Sequence, residues 1–125
     1  MEYQPGVCNI GPSERRKRLA LGVASLLAAV VLVAAVLAIG WRSWTLLFTL
    51  FPLYGAAMGV LQYRERFCVG FAGMGVFDVG DGTRDVTDPK ALEADRKRAV
   101  RLNAKALAVG GVGALAVYAV VLVAF

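Results

Sequence analysis

Cys8 and Cys68 are the only soft nucleophiles in this 125-residue chain. A thiol becomes reactive as its thiolate, which nearby positive charge favours, and Arg15, Arg64 and Arg66 lie close to the two cysteines in sequence. Such a pair fits thiol-redox or sulfur-handling chemistry, or a four-thiolate metal site shared between two copies. The plainer alternative is that each cysteine is a small buried hydrophobe. There is no CxxC spacing, so neither a disulfide framework nor a zinc-finger pattern is written into the chain. There is also no histidine, which removes the commonest general base and metal ligand. No catalytic residue, cofactor or resident metal is expected. Tyr54 and Tyr118 lie within apolar sequence, where each is expected to bond a neighbouring backbone carbonyl.

The elements that must position these groups are three long charge-free runs. They give expected spans at about 19–40, 43–63 and 106–125. About 20 residues at about 1.5 Å each cross a hydrocarbon core of about 30 Å, so each run is a membrane-helix candidate. Hydrophobic residues make up 58% of the chain, only 18% are charged and the mean hydropathy is +0.63. A soluble surface could not be covered with so few charges. The expected fold is therefore an all-α membrane protein of three transmembrane helices. A hairpin is followed by a third, longer helix that starts in the cytoplasm, and residues 64–105 form a cytoplasmic loop and helix within one integral membrane domain, 1–125. No Asp, Glu, Lys or Arg falls inside a run, which argues against an ion pump, a proton-coupled transporter or a voltage sensor. The net charge of +5 is placed at the ends of the runs, a distribution that fits anionic lipid headgroups rather than nucleic acid.

Local signals refine this picture. Residues 1–10 read as an irregular lead, and Gly11, Pro12 and Glu14 as a helix N-cap, first residue and first-turn acid. Glu14 and Arg18 are four apart with the acid first, the favourable order. The first run is longer than a signal-peptide core and lacks a small-x-small site after it, so retention as a span is expected. Trp41, Arg42 and Trp44 suit a tight turn at headgroup level. Pro52 near the middle of the second run predicts a kink, and Gly55 with Gly59 a close-packing face. The glycine-rich segment that follows matches neither a dinucleotide fingerprint nor an EF-hand. It reads as a surface loop with Met74, Val76, Phe77 and Val79 turned toward lipid or bundle, and a turn at Gly80, Asp81 and Gly82, in the manner of a short hairpin. Asp88 and Pro89 open a long helix, with Glu93 and Lys97 as an i,i+4 pair. Lys97, Arg101 and Lys105 form a basic stripe approaching the membrane, and Gly110 and Ala114 a small-residue face within it. Arg15 and Arg18 join that stripe as expected headgroup contacts.

Orientation follows from where Lys and Arg fall. Four precede the first run, nine separate the second and third, and only Arg42 lies in the remaining turn, so thirteen of fourteen share one side. That side is expected to be the cytoplasm, with the N-terminus inside and the C-terminus outside. Arginine outnumbering lysine, with heavy use of Ala, Val and Gly, points to a prokaryotic inner (cytoplasmic) membrane.

The pattern Asn9-x-Gly11-x-x-Glu14-Arg15-x-x-Arg18-x-x-x-Gly22 resembles the opening of the YgaP-like transmembrane domain family of small bacterial inner-membrane proteins. The resemblance implies a short helical hairpin and covers residues 9–60. Pro52, Tyr54 and Gly59 match the family's second-helix motif, whereas Phe51 stands where that motif carries a cysteine. The functional expectation is a non-enzymatic membrane protein acting by helix packing, as a homo-oligomer or a subunit of a larger membrane complex. The alternative is a cytoplasmic-face thiol protein using Cys8 and Cys68, with the two sulfurs close at the membrane surface.

Overall fold

In hydrocarbon a backbone has no water to bond, so a charge-free run must satisfy its own N–H and C=O groups as a helix. The computed structural model describes residues 3–80 and 82–124 and carries three helical stretches long and apolar enough to cross a membrane: Pro12–Ile39, Ser43–Glu65 and Pro89–Ala124. The protein is a mostly helical membrane protein. Only 17%, 28% and 17% of the three apolar windows is buried, which leaves Leu, Val and Phe side chains facing outward, as helices that cross a bilayer do. Asp81 of the expected glycine turn and Phe125 of the expected third span lie outside the described residues.

Helix α1 (Pro12–Ile39) starts as its sequence dictates, with Gly11 as N-cap, and ends on Gly40 in the left-handed region (φ 71). Glu14 and Arg18 form the expected pair at 3.0 Å. The second span departs from expectation. Its first part, Ser43–Thr49, is a 3-10 helix, and α2 proper runs Leu50–Glu65. Pro52 therefore sits in the first turn of α2 rather than at a mid-helix kink. A proline ring opposes the carbonyl four residues back, so the chain ahead of it winds tighter and the α-helix begins where the missing N–H costs nothing. The Thr45 and Thr49 hydroxyls donate to the Arg42 and Leu46 carbonyls at 2.7 and 2.6 Å and hold the tighter winding.

The glycine-rich segment is more ordered than a loop. Arg66 turns the chain through the left-handed region (φ 54), Cys68 caps a short helix α3 (Val69–Met74), and strands β1 (Val76–Phe77) and β2 (Arg84–Asp85) pair antiparallel, with Phe77 opposite Arg84. Val76, Phe77 and Val79 are half-buried, and Met74 is exposed. Helix α4 (Pro89–Ala124) is one 36-residue helix, about 54 Å long, so about 24 Å of it stands outside a bilayer core. The Asp88 carboxylate accepts from Lys90 N–H at 3.0 Å at its start, and the Glu93–Lys97 pair forms at 3.1 Å.

Helix α2 lies between the other two spans and packs against both, while the backbones of α1 and α4 stay apart. Apolar clusters close the two ends. Val36, Leu46 and Val121 meet at the tryptophan end, together with Tyr118, and Phe67, Ala72, Ala99 and Leu102 at the basic end. The lead is not irregular. Gln4 and Cys8 exchange backbone hydrogen bonds at 2.9 Å around a tight turn, and Asp95 of α4, fully buried, accepts from Tyr3 O–H at 2.5 Å and Gly6 N–H at 2.7 Å. Burial first, and then the bond to Asp95, pushes the Tyr3 phenol above its ordinary range.

Candidate functional site

The residues singled out for chemistry gather at the basic end, where α1 begins, α2 ends and α3 follows. Gly11 brings the start of α1 against the hairpin: its N–H donates to the Asp78 carbonyl at 2.8 Å, and a Cβ there would meet the Val79 backbone at 2.8 Å. One residue earlier, Asn9 is completely buried. Its Nδ2 donates to the Cys68 carbonyl at 3.0 Å and its Oδ1 accepts the Cys68 N–H at 2.6 Å. The Asn9 backbone continues this bridge, donating to the Arg66 carbonyl at 3.1 Å and accepting from Asp78 N–H at 2.9 Å. Asn9 thus stitches the lead to the α2–α3 junction.

Arg15 and Arg18 turn inward. Arg15 Nε donates to the Tyr63 carbonyl at 2.9 Å and its guanidinium lies 4.6 Å from the Tyr63 ring centroid. A cation on one of the last carbonyls of a helix satisfies a group that has no intrahelical partner. Arg18 donates to Glu14 at 3.0 Å and to Cys68 Sγ at 3.2 Å, and it lies over the Phe71 ring at 5.1 Å. These two arginines are fixed by protein groups rather than spread over headgroups. Lys97, Arg101 and Lys105 remain exposed on α4, and Lys105 Nζ also reaches Glu65 at 3.6 Å.

The two thiols are free, buried and differently employed. Cys68 Sγ accepts from Arg18 and, at 3.5 Å, from Phe71 N–H. Cys8 Sγ donates to the Ile10 carbonyl at 3.5 Å. One sulfur is an acceptor and the other a donor, with separate partners. Among the described residues no group of three or more Cys, Asp or Glu is placed to hold a metal ion.

The small residues lie at helix crossings within the chain. A Cβ on Gly59 would stand 2.5 Å from Gly22 Cα and 2.6 Å from the Arg18 carbonyl oxygen. Gly55 faces Ser25, and Gly110 faces the Tyr54 backbone, where a Cβ would meet the nitrogen at 2.9 Å. Ala114 is buried one turn beyond Gly110. Tyr54 does not bond a backbone carbonyl, as its sequence context predicts, but donates to the Asn103 side chain of α4.

Three functional-looking polar groups carry no sequence signal of their own. Asp95 and Asn103 sit in a helix-former stretch where acids and amides are ordinarily solvated, and Gln62 looks like a headgroup-level amide. Gln62 is nearly buried, and its Oε1 accepts Val69 N–H at 2.8 Å, capping the start of α3. Asp95 and Asn103 acquire their partners from remote parts of the chain, and Gln62 acquires its partner only once the chain has turned at Arg66. No family model matches this chain, and neither a curated protein nor a solved structure matches it.

Proposed function

We propose that the protein is a non-enzymatic component of a prokaryotic inner membrane that works by self-association or as a subunit of a larger membrane complex. The glycine face of α2 is spent inside the chain, so association must use another surface. The observation that carries the reading is on α1. Ala20, Ala24 and Ala28, each four residues apart, are exposed and form a line of small side chains along its outward face. In lipid there is no hydrophobic gain from joining helices, and small residues at this spacing are what lets two backbones approach. The thiols fit a structural part in this reading, since both are buried and each is already hydrogen-bonded.

Support for the YgaP-like resemblance comes from the work its pattern does. Asn9, Gly11, Arg15, Arg18 and Gly22 each make a contact that closes the basic end, and Glu14 pairs with Arg18 within α1. A spacing that encodes one packing geometry is a reason for chains to share it.

The test of association is single-molecule subunit counting in liposomes at increasing protein density. The wild type is expected to form oligomers, and Ala24→Leu to shift association at least tenfold toward monomer while its melting in detergent is unchanged. Monomers at every density, or an unaffected variant, would remove the reading. The orientation proposed with it, N-terminus inside, is checked by reporter fusions. A fusion at Arg84 is expected to read cytoplasmic and one after Phe125 exterior; a cytoplasmic C-terminal reporter would overturn the three-span threading.

A further inference from the structure

A cavity of about 380 Å³ opens at the basic end, lined by Gln4, Cys8, Arg64, Glu65, Arg66 and Arg98. Three guanidinium groups face one carboxylate there. Glu65 is committed to one of them: its Oε1 pairs with Arg98 at 3.2 Å, and also with Lys105 at 3.6 Å. Its Oε2 is buried without a hydrogen-bond partner, and neither of its ion pairs is to Arg64 or Arg66. Among the described residues no carboxylate lies within ion-pair distance of Arg64 or Arg66, and both are exposed. The cavity wall therefore carries two positive charges in excess, from three arginines and one glutamate.

Size and level narrow what would neutralise them. The volume is too large for a single small ion and suits a phosphate group with a short organic substituent. Guanidinium forks match phosphate oxygens two at a time. Arg64 directly follows the charge-free run of α2, and Arg98 lies eight residues before the charge-free run of α4, about 12 Å along the helix. The cavity thus stands at the polar edge of the membrane, where basic pockets between helices meet phosphate headgroups. We propose that this cavity is a binding site for an anionic phosphate ester, held by Arg64 and Arg66 with Arg98 kept in place by Glu65. The site does not depend on the association reading, because none of its residues lies on the alanine line of α1.

The experiment is native mass spectrometry of the full chain released from mixed micelles containing phosphatidylglycerol and phosphatidylcholine. The wild type is expected to retain one phosphatidylglycerol in preference to phosphatidylcholine. Arg64→Ala combined with Arg66→Asn is expected to weaken that retention tenfold or more. Asparagine is chosen because it tolerates the left-handed backbone at residue 66 (φ 54). Arg64→Ala alone, which leaves the α2 cap intact, is expected to give an intermediate loss. Lys97→Ala with Arg101→Ala removes equal charge from the exposed stripe and is expected to change retention by less than twofold. Displacement of the lipid by millimolar glycerol phosphate would identify a soluble phosphate ester as the ligand; no displacement would identify a headgroup. Equal retention of the two lipids, an unaffected double variant, or an equal loss in the stripe control would each overturn the site.

Discussion

Gly59→Ala is expected to destabilise the α1–α2 hairpin by about 3 kcal/mol or more, the upper part of the range for overpacking. A single methyl group is the smallest possible addition, yet it would lie 2.5 Å from Gly22 Cα and 2.6 Å from both Gly22 N and the Arg18 carbonyl oxygen. All three are backbone atoms of a helix, so no side chain can swing away and the two helices must separate. Separation also pulls Arg18 from Cys68 and Arg15 from the Tyr63 carbonyl, which spreads the damage across the basic end. Unfolding in mixed detergent micelles, followed by circular dichroism, measures the loss. Two controls set the scale. At Gly55 the added carbon meets the Ser25 side chain, with Oγ nearest at 2.8 Å, and that hydroxyl can rotate, so Gly55→Ala is expected to cost less. At Gly111 it meets nothing within 4 Å, and alanine there is expected to be neutral or to stabilise by up to about 1 kcal/mol through helix propensity. Gly59→Ala as stable as wild type would mean that the α1–α2 crossing is not where it is described.

The second large effect is expected at Asn9. Removing its side chain with Asn9→Ala leaves the buried Cys68 N–H without a partner, while the Cys68 carbonyl loses one of two bonds and keeps the Ala72 N–H at 3.1 Å. An unsatisfied buried polar group costs about 1–3 kcal/mol, and loss of the second bond to the carbonyl puts the expected cost in the upper part of that range. Asn9→Asp keeps an acceptor for the Cys68 N–H but loses the donor and buries a charge, so it is not expected to rescue. A second readout follows from position. Cys68 is only 5% exposed, and α3 is held at its start by Asn9 and Gln62. Loosening that start is expected to raise the rate of Cys68 alkylation by maleimide at least tenfold. Unchanged alkylation together with unchanged stability would show that Asn9 does not hold the junction.

What the sequence makes legible here is what depends on near neighbours. The three spans, the Gly11–Pro12 start, the Asp88 cap and the Glu14–Arg18 and Glu93–Lys97 pairs all lie within one or two helical turns of their partners. Gly59 is legible as a packing residue, but not which helix it would meet. What escapes the sequence is set by contacts between remote segments. Arg15 and Arg18 look like headgroup residues until α2 brings the Tyr63 carbonyl and Cys68 beside them. Asp95 reads as a solvated acid until the lead folds onto it, eighty-nine residues away from Gly6. The 3-10 stretch escapes for a different reason: a proline signals disruption, but whether the helix kinks or starts afresh depends on what the preceding turn packs against. Leu46 and Thr49, both completely buried, decide it for the tighter winding.

The clamp of Asp95 on Tyr3 and Gly6 also bears on the order in which the molecule takes shape. The α1–α2 hairpin joins segments close in the chain and can close as soon as both have left the ribosome. Asn9 can then join the α2–α3 junction, but Tyr3 and Gly6 cannot reach their place until α4 exists, because their carboxylate anchor is supplied there. Contacts between such distant segments form late, since the intervening chain must first lose its freedom. Tyr3 and Gly6, which precede the hairpin in the chain, thus settle after it, and their docking acts as a latch that registers the arrival of α4.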